Sequence, residues 1–548
     1  MGHSYLPLPR LSIPYQIQGV MNNMMNNELK APYDVVIVGS GYSGTMVAVH
    51  LARAQRGLRV ALIDRSKTFG RGVAYGTTDP KHLLNVPADQ MGAFPDDIGH
   101  FYRWLKAHSA NLEAAAIHEL RPDAFIPRLV FGDYIQDLLR EARALPGTLD
   151  IIRDEIVDLT PHEGGSFQLI GKSGSKLEAA QVVLALGNFP PGEAEQKTKG
   201  DWFMNNPYSA EVHAKLAEPG DILIIGTGLT SLDLLLTLDK TKREGKIHLL
   251  SRRGLFPQPH KEAASYPAFL DPDNLPKTAR ALCRRVAQEL RQANAQGIDW
   301  RPVLDSLRPL NQAIWRNFNP TEQRRFLRHL GALWDTHRHR CAPEIMAVKN
   351  RLQAEGRLVC HQGYVKGYEP MGGQVEVTYR PRGTTQENKL RVRHVLSCTG
   401  PQSDYRKLND PLVQQLLIRD LLAADPLRIG AYTAEGGYVC NREGQVIRGL
   451  YTLGPTQKGR LYESVAVPEL RGQAADLAAH LLNVIARKDQ SSADGNARSL
   501  SDLTSEIDAR IADHTRLLTT TDVVDSGRLC SQFATLSARR TPNGKRPA

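Results

Sequence analysis

A glycine-rich turn between a short apolar strand and a helix constrains the fold of this chain more than any other feature. The apolar run from Val35 to Val38 is typical of a buried parallel strand, and it leads into the pattern G-x-G-x-x-G. The first glycine permits a tight turn, the second lets the backbone approach a pyrophosphate, and the third lets the following helix pack closely on the strand. Because amides at a helix N-terminus favour anions, we expect a dinucleotide here. The residues predicted to contact it are Gly39, Ser40, Gly41, Ser43 and Gly44.

The next strand, RVALIDR, supports the same interpretation because it ends in an acid. Asp64 lies at the sequence distance from Gly39 at which a carboxylate binds the ribose of a dinucleotide. Arg65 follows directly and belongs to the predicted contact set. The order of strand, glycine turn, helix and acid-terminated strand argues against a chance glycine turn.

A second copy of the motif, DILIIGTGLTSLD, begins in the middle of the chain. It keeps the spacing, with a small serine in place of the third glycine. The following strand, KIHLLSRRG, places Ser251 where the first copy has its acid, and two arginines come next. An acid would repel a 2′-phosphate, whereas arginine accommodates it, so the second copy is expected to bind NADPH. The predicted NADPH contacts are Gly226, Gly228, Ser231, Arg252 and Arg253.

Two dinucleotide motifs with different second strands indicate two different cofactors, FAD at the first and NADPH at the second. Hydride must pass from the nicotinamide to the flavin, so both sites should face one cleft. The predicted fold is α/β, with two Rossmann-like dinucleotide-binding domains and a helical insertion. The predicted parts are a flexible arm (1–32), the FAD-binding domain (33–205 and 396–487), the NADPH-binding domain (206–395) with the insertion at about 262–350, and a polar tail with one candidate helix (488–548).

Several loops supply further candidate contacts with FAD. The segment TFGRGVAYGTT is expected to cross the cofactor and offer one arginine to the pyrophosphate, although an ordinary surface role for that arginine remains open. The strands VVLALG and VLSCTG end in glycines expected to pass under the cofactor, with a plain β-turn as the alternative for the first. A helix beginning near VPEL would stabilise negative charge on the reduced flavin. These further predicted contacts are Arg71, Asn85, Ala88, Gly187, Gly400, Gly454 and Val467.

Residues 262–350 have the apolar spacing of three or four helices, and the longer stretch from Arg252 to Arg357 has an excess of basic side chains. HRHR, from His337 to Arg340, does not fit a metal site, because histidines at i and i+2 do not share a helix face and no acid lies at ligand spacing. We interpret it as a basic helix end. A role for Arg338 or His339 in binding a substrate anion remains open.

Composition narrows the class of protein further. No apolar run in the 548 residues is long enough to span a membrane, and the start of the chain lacks the features of a signal peptide. The net charge of +11 would suit nucleic acid, but no zinc-finger or RNP motif accompanies it, so we expect no such partner. The six cysteines are too far apart for a CxxC redox pair or the usual zinc sites. We therefore predict a cytoplasmic protein without a metal site or membrane attachment.

An ordered set of motifs gives the chain a family resemblance: GSGYSG, GRGVAYGT, HLLNVPA, GTGLTSLD, SRRGLFPQPH and ESVAVPELRGQA. Together they resemble the bacterial FAD/NAD(P)-binding proteins of largely unassigned function, which are distantly similar to flavin-containing and N-hydroxylating monooxygenases. The resemblance covers residues 33–485 and implies a flavoprotein with FAD at the first glycine motif and NADP(H) at the second. Some relatives are similar to enzymes that oxidise the amino group of a small amino acid, but no pocket motif carries that substrate over.

Three functions are compatible with these features. The first is an NADPH-dependent flavin monooxygenase acting on a small polar or anionic substrate, which needs no acid–base motif because the cofactor supplies the chemistry. The second is an NADPH-dependent flavin reductase or dehydrogenase that passes electrons to a partner or a quinone. The third is a non-catalytic FAD-binding sensor or docking protein. The sequence identifies no catalytic residue, substrate or oligomeric state.

Overall fold

The computed structural model describes residues 32–108, 120–162, 164–192, 200–241 and 243–493. Nearly all of the predicted N-terminal arm, and the tail from residue 494 with its candidate helix, lie outside the described residues. The strands are β1 (Tyr33–Val38), β2 (Arg59–Asp64), β3 (Thr148–Arg153), β4 (Ile156–Pro161), β5 (Phe167–Gly171), β6 (Lys176–Leu184), β7 (Phe203–Met204), β8 (Ile222–Ile225), β9 (Ile247–Ser251), β10 (Leu358–Met371), β11 (Gln374–Pro381), β12 (Asn388–Val392), β13 (His394–Ser397), β14 (Tyr438–Cys440) and β15 (Val446–Thr452).

The described α-helices alternate with these strands over much of the chain. They are α1 (Tyr42–Arg53), α2 (Gly72–Tyr75), α3 (His100–Ala107), α4 (Arg128–Arg143), α5 (Ala210–Leu216), α6 (Leu229–Lys240), α7 (Ala279–Ala295), α8 (Trp300–Asp305), α9 (Asn311–Asn317), α10 (Pro320–His329), α11 (Gly331–Arg338), α12 (Pro343–Ala354), α13 (Pro411–Ile418), α14 (Lys458–Leu461) and α15 (Val467–Ala493).

The first sheet is built around β1, which pairs in parallel with β2 and β6. The order of its main strands is β14-β15-β6-β1-β2-β3, and β4 and β5 extend it through an antiparallel pairing with β6. Alternate residues of β1 enter two separate cores, because side chains alternate across a strand. Val35 and Ile37 pack with α1, α4 and α15, whereas Val36 and Val38 pack with α13 on the opposite face. Burial on both faces explains why β1 is an uninterrupted apolar run.

The second sheet has the order β12-β11-β10-β9-β8-β13-β7. Its centre is parallel, since β8 pairs with β9 and β13, and β9 pairs with β10. The predicted domain limits need correction at two strands. They assigned Phe203–Met204 and the end of β13 to the FAD-binding domain, but β13 pairs with β8 and β7 pairs with β13. Backbone pairing therefore places both strands in the second sheet, and the chain returns to the first sheet only after Ser397.

The helical insertion lies between β9 and β10 and has its own apolar core around Trp315, Phe318 and Phe326. It contains five described α-helices, α7 to α11, where three or four were predicted. The segment from 300 to 317 forms two helices because Pro309 lacks a backbone N–H and falls in a 3-10 turn between them. Helix α12, placed within the predicted insertion, instead packs on α6 and connects to β10, so it belongs to the second sheet's layer.

Candidate dinucleotide-binding cleft

A cavity of about 430 Å³ lies between the two sheets and the insertion. The first domain contributes Gly187 and Val467, the second contributes Gly228 and Leu229, and α11 contributes Asp335 and its neighbours. Residues predicted for the FAD site and for the NADPH site therefore line the same cavity. This is the arrangement that hydride transfer between two cofactors requires.

The first glycine turn leaves no room for side chains at its first and third glycines. Gly39 has a φ of +107°, and a Cβ there would overlap the carbonyl oxygen of Ala185, which follows β6. A Cβ on Gly44 would overlap the carbonyl oxygen of Gly39. At Gly41, which caps α1, the nearest atom to an added Cβ is the Gly72 Cα at 3.8 Å. The turn thus has the close strand–helix packing expected of a pyrophosphate site.

The second glycine turn reproduces this geometry. Gly226 has a φ of +114°, and a Cβ there would overlap the carbonyl oxygen of Cys398, which follows β13 as Ala185 follows β6. Ser231 fits in place of a glycine because its hydroxyl donates a hydrogen bond of 2.9 Å to the Gly226 carbonyl. Gly228 caps α6, and a Cβ there would meet no atom within 4 Å. Open space beside this amide is what a nucleotide phosphate needs.

The acid that ends β2 holds the first turn together. One oxygen of Asp64 accepts a hydrogen bond of 2.6 Å from the Ser40 amide, and the other accepts one of 2.7 Å from the Ser66 amide. Its place beside the turn agrees with the predicted ribose contact, which stays a prediction. Arg65 is exposed and pairs with Glu155 at 3.2 Å, so its side chain is directed to the connection between β3 and β4 rather than to the turn.

The residues at the end of β9 differ from those at the end of β2, as the sequence predicted. The Ser251 hydroxyl lies 3.0 Å from the Thr227 hydroxyl and accepts a hydrogen bond of 3.0 Å from the Gly254 amide. Arg252 is exposed, and Arg253 donates a bond of 2.6 Å to the carbonyl oxygen of Arg328 at the end of α10. Two arginines thus follow the end of β9, and the position equivalent to Asp64 is occupied by Ser251 instead of a carboxylate.

Arg71 and Ala88 have different surroundings from those predicted. Arg71 donates to the Gln136 side chain at 3.0 Å and to the Leu129 carbonyl at 3.1 Å, and it pairs with Asp133. These contacts anchor the loop to α4 and do not support a pyrophosphate contact. Ala88 is fully buried within the first domain's core, so it does not face the cavity.

Other predicted flavin contacts lie at or beside the cavity. Asn85 lines it, and the Asn85 carbonyl accepts a bond of 3.0 Å from His260 Nε2. Gly187 lines it with a φ of +65°, and Gly400, with a φ of +93°, precedes residues 401–403 in the wall. An added Cβ on Gly454 would lie 3.2 Å from the hydroxyl of Ser43, which brings the last strand's end against the first glycine turn. Val467 is the first residue of α15, so this helix N-terminus opens at the cavity, and its contact with a flavin stays a prediction.

Unpaired polar atoms around the first turn fit a polar ligand. The hydroxyl of Tyr42, next to Gly41, is buried and has no hydrogen-bond partner among the described residues. The buried amide nitrogen of Gln473 on α15 likewise finds no acceptor in the described part of the chain, although the Gln473 oxygen accepts a bond of 2.9 Å from the Gly454 amide. Buried polar groups normally have partners, so this region is suited to a ligand with many hydrogen-bonding atoms. FAD has this property, and the glycine turn would hold its pyrophosphate.

The insertion adds a polar wall to the cavity, of which sequence reasoning had raised His339 as an open candidate and had missed Asp335. Asp335 and His339 both line the cavity from the end of α11, at the i, i+4 spacing that places them on one helix face. Burial lowers the pKa of His339 to about 4, so the ring is neutral at pH 7. The Asp335 carboxylate accepts a bond of 3.1 Å from the Tyr462 hydroxyl. The i, i+4 pair was the available sequence signal, but only tertiary packing shows that it faces the cavity.

The rest of HRHR has structural roles. Nδ1 of His337 donates a bond of 2.8 Å to the Leu333 carbonyl within the core of the insertion. Arg338 pairs with Glu463 at 3.2 Å and with Glu469 at 3.0 Å. Its charge is therefore matched by two carboxylates, which does not support a substrate-anion role. Arg340 pairs with Asp305.

Within the described part of the chain, no group of three or more acidic, histidine or cysteine side chains is placed to hold a metal ion. No disulfide bond joins any two of the described cysteines. None of the helices in the described ranges is both long and apolar enough to cross a membrane.

Comparison with known proteins identifies the first domain. Residues 36–189 match a family model described as FAD-NAD(P)-binding. The tRNA uridine 5-carboxymethylaminomethyl modification enzyme of Finegoldia magna is 26% identical over 169 residues, covering 29% of this chain and 25% of that protein. Thiamine thiazole synthase of Saccharolobus islandicus is 27% identical over 171 residues, covering 28% of this chain and 62% of that protein. The chain thus spans less than two thirds of the length of either relative.

Solved structures match over most of the chain at low identity. Ornithine N-hydroxylase of Kutzneria sp. 744, solved with reduced FAD, NADP+ and L-ornithine, superposes with a TM-score of 0.57 at 14% identity, covering 82% of this chain and 99% of that one. L-lysine 6-monooxygenase from Pseudomonas syringae gives 0.55 at 15% identity, with coverages of 82% and 99%. Bacillithiol disulfide reductase from Staphylococcus aureus gives 0.50 at 12% identity, with coverages of 83% and 99%.

These matches confirm the predicted fold class and the family resemblance. At identities this low, the superpositions establish a shared fold only, and the reaction has to be argued from the site. The chain carries an FAD/NAD(P)-binding domain and has the two-domain fold of flavin-dependent monooxygenases and reductases.

Proposed function

We propose that this protein is an FAD- and NADPH-dependent oxidoreductase, and specifically a flavin monooxygenase acting on a small polar or anionic substrate. The observation that carries the proposal is the single cavity lined by Gly187 and Val467 of the first domain and by Gly228 of the second. FAD would supply the redox chemistry when bound. The protein would bind and orient both cofactors and limit the access of water to the cavity.

The two glycine turns divide the cofactors between them. The turn from Gly39 to Gly44 would hold the FAD pyrophosphate, with Asp64 beside it for the ribose. The turn at Gly226 would hold the NADPH pyrophosphate. Arg252 and Arg253 would bind its 2′-phosphate, because the position of the ribose acid is taken by Ser251. A cytoplasmic location stays a prediction.

The burial and placement of the cysteines favour a monooxygenase over a reductase that uses a pair of thiols. Cys283, Cys341 and Cys440 are buried, and no described cysteine lines the cavity. Burial raises the pKa of the Cys341 thiol to about 12, which opposes the thiolate that disulfide exchange requires. Transfer of electrons to a quinone or a protein partner remains the second candidate, supported by the same cofactor cavity.

Anaerobic titration with NADPH followed by O2 tests the proposal. We expect NADPH to bleach the flavin absorbance fully in the absence of O2. After O2 is admitted, a panel of small polar and anionic compounds should include one that raises NADPH consumption and receives an oxygen atom from isotopically labelled O2. Bleaching followed by rapid turnover with an artificial electron acceptor, without incorporation by any compound, would favour the reductase. A yellow protein that NADPH does not bleach would support the sensor and exclude both enzymes.

A further inference from the structure

One face of α6, the helix that follows the second glycine turn, is covered by residues of the first domain. Asp233, Thr237 and Lys240 have the i, i+4, i+7 spacing of a single helix face. Each of the three contacts the first domain. The charged neighbour Asp239 faces elsewhere and pairs with Arg351 of α12 at 2.7 Å, within the second domain. The same helix therefore binds its own domain on one side and the FAD-binding domain on the other.

A buried ion pair crosses this boundary. Arg128, the first residue of α4, lies 3.0 Å from Asp233, whose side chain is 1% exposed. Tyr208 donates a bond of 2.9 Å to the same carboxylate, and Arg128 Nε donates one of 3.0 Å to the Leu83 carbonyl. Because Arg128 also lines the cavity, the pair lies at the edge of the proposed reaction site.

A neutral histidine completes the boundary one helical turn further along. His82 is fully buried, with Nδ1 2.7 Å from the Thr77 hydroxyl and Nε2 3.0 Å from the Thr237 hydroxyl. Thr237 donates in turn to Asp79 at 3.1 Å, so its oxygen accepts from Nε2–H. Burial lowers the pKa of His82, and this chain of bonds satisfies the neutral ring at both nitrogens.

A second set of contacts joins the domains on the side of the insertion. Arg338 pairs with Glu463 and Glu469, and Arg308 pairs with Glu469 at 2.9 Å. Trp334 Nε1 donates a bond of 2.8 Å to Glu463. Arg338 and Trp334 thus join α11 to the start of α15 and to the segment just before it, and Val467, the first residue of α15, lines the cavity. Ion pairs between the first domain and the rest of the chain are thus present both at α6 and at α11.

We propose that Asp233, Thr237, Arg128 and His82, here called the interdomain cluster, are positioning residues that fix the angle between the two dinucleotide-binding domains, so that NADPH meets the flavin without rotation of one domain against the other. The inference rests on the proposed function for its hydride acceptor. The cluster does not touch the reacting atoms in this scheme; it acts through the placement of α6, whose N-terminus holds the nicotinamide dinucleotide.

The test compares Asp233→Asn with Asp239→Asn, which removes the same charge from the same helix but breaks a pair within one domain. Two properties of the FAD-loaded full chain are measured: its calorimetric unfolding, and anaerobic flavin reduction over a range of NADPH concentrations. Asp233→Asn should split one unfolding transition into two. It should also slow reduction at saturating NADPH roughly tenfold to a hundredfold while changing the Kd for NADPH less than about twofold, because misplacement affects the transfer geometry more than binding. Asp239→Asn should do neither.

Thr237→Val provides the milder variant if Asp233→Asn does not fold, and the same two changes are expected at smaller size. The inference is overturned if the cluster variants keep a single transition, if reduction stays at the wild-type rate, or if Asp239→Asn has the same effects. Absence of any reduction of the wild-type flavin by NADPH would instead overturn the proposed function. The calorimetric comparison would still decide whether the cluster holds the domains together.

Discussion

Replacement of Arg252 by alanine should weaken NADPH binding and leave NADH binding nearly unchanged. The side chain is exposed after β9, and Ser251 in the position of the ribose acid leaves no opposing carboxylate there. A charge-assisted hydrogen bond contributes about 1.5–3 kcal/mol. Solvent screening at an exposed site reduces this to about 1–2 kcal/mol. The Kd for NADPH should therefore rise roughly 5- to 30-fold, since each 1.4 kcal/mol corresponds to a factor of ten.

The assay is an anaerobic binding titration of both nucleotides at two salt concentrations. The NADPH effect should shrink at high salt, because the interaction is between charges. Arg253→Ala should have a smaller effect, since that guanidinium already donates to the Arg328 carbonyl. Arg284, exposed on α7, provides the control for loss of an unrelated arginine. Equal losses for NADPH and NADH, or no loss for either, would refute the assignment of the 2′-phosphate.

Other changes test the turns and the cavity wall. Gly39→Ala should abolish FAD retention and lower the melting temperature, because the added Cβ overlaps the Ala185 carbonyl. Gly41→Ala should fold and only weaken FAD binding, because the nearest atom to its added Cβ is 3.8 Å away. The flavin content after purification distinguishes the two variants. Ser231→Gly should cost about 1 kcal/mol in urea unfolding, through one lost hydrogen bond and added backbone freedom, and still bind NADPH. Because the pKa of His339 is lowered to about 4, the unfolded state binds more protons than the folded state between pH 6.5 and 4. The free energy of unfolding should therefore decrease as the pH is lowered from 6.5 to 4. His339→Gln should flatten the slope of the urea midpoint against pH. An unchanged slope would contradict the lowered pKa of His339.

The sequence was most informative where neighbours along the chain decide the structure. A glycine turn is specified within about ten residues, because its φ angles, the apolar strand before it and the helix after it are all local. Both turns, the strands that end in Asp64 and Ser251, and the helix beginning at Val467 were therefore predicted at the positions where they are observed. The order of these elements was enough to predict two dinucleotide-binding domains.

Side-chain direction was less predictable because it depends on residues far away in the sequence. Arg71 was expected beside a pyrophosphate, yet α4 supplies carbonyl and carboxylate partners for its guanidinium. Ala88 was expected at the flavin edge, yet packing buries it. The separate roles of the residues in the basic HRHR motif could not be predicted from the sequence. In the structure Arg338 pairs with two glutamates, whereas His339 faces the cavity.

The sequence by itself thus determined the two cofactor turns and the difference between their second strands, since glycine spacing and a terminal acid or arginine act within one strand–turn–helix unit. Only the tertiary structure decided that both turns open into one cavity, that the insertion supplies its polar wall, and that Asp233 and Thr237 face the other domain. Those features depend on burial and on pairing between residues more than a hundred positions apart, such as Arg128 with Asp233 and His82 with Thr237. Desolvation makes such partners necessary, and folding brings them together.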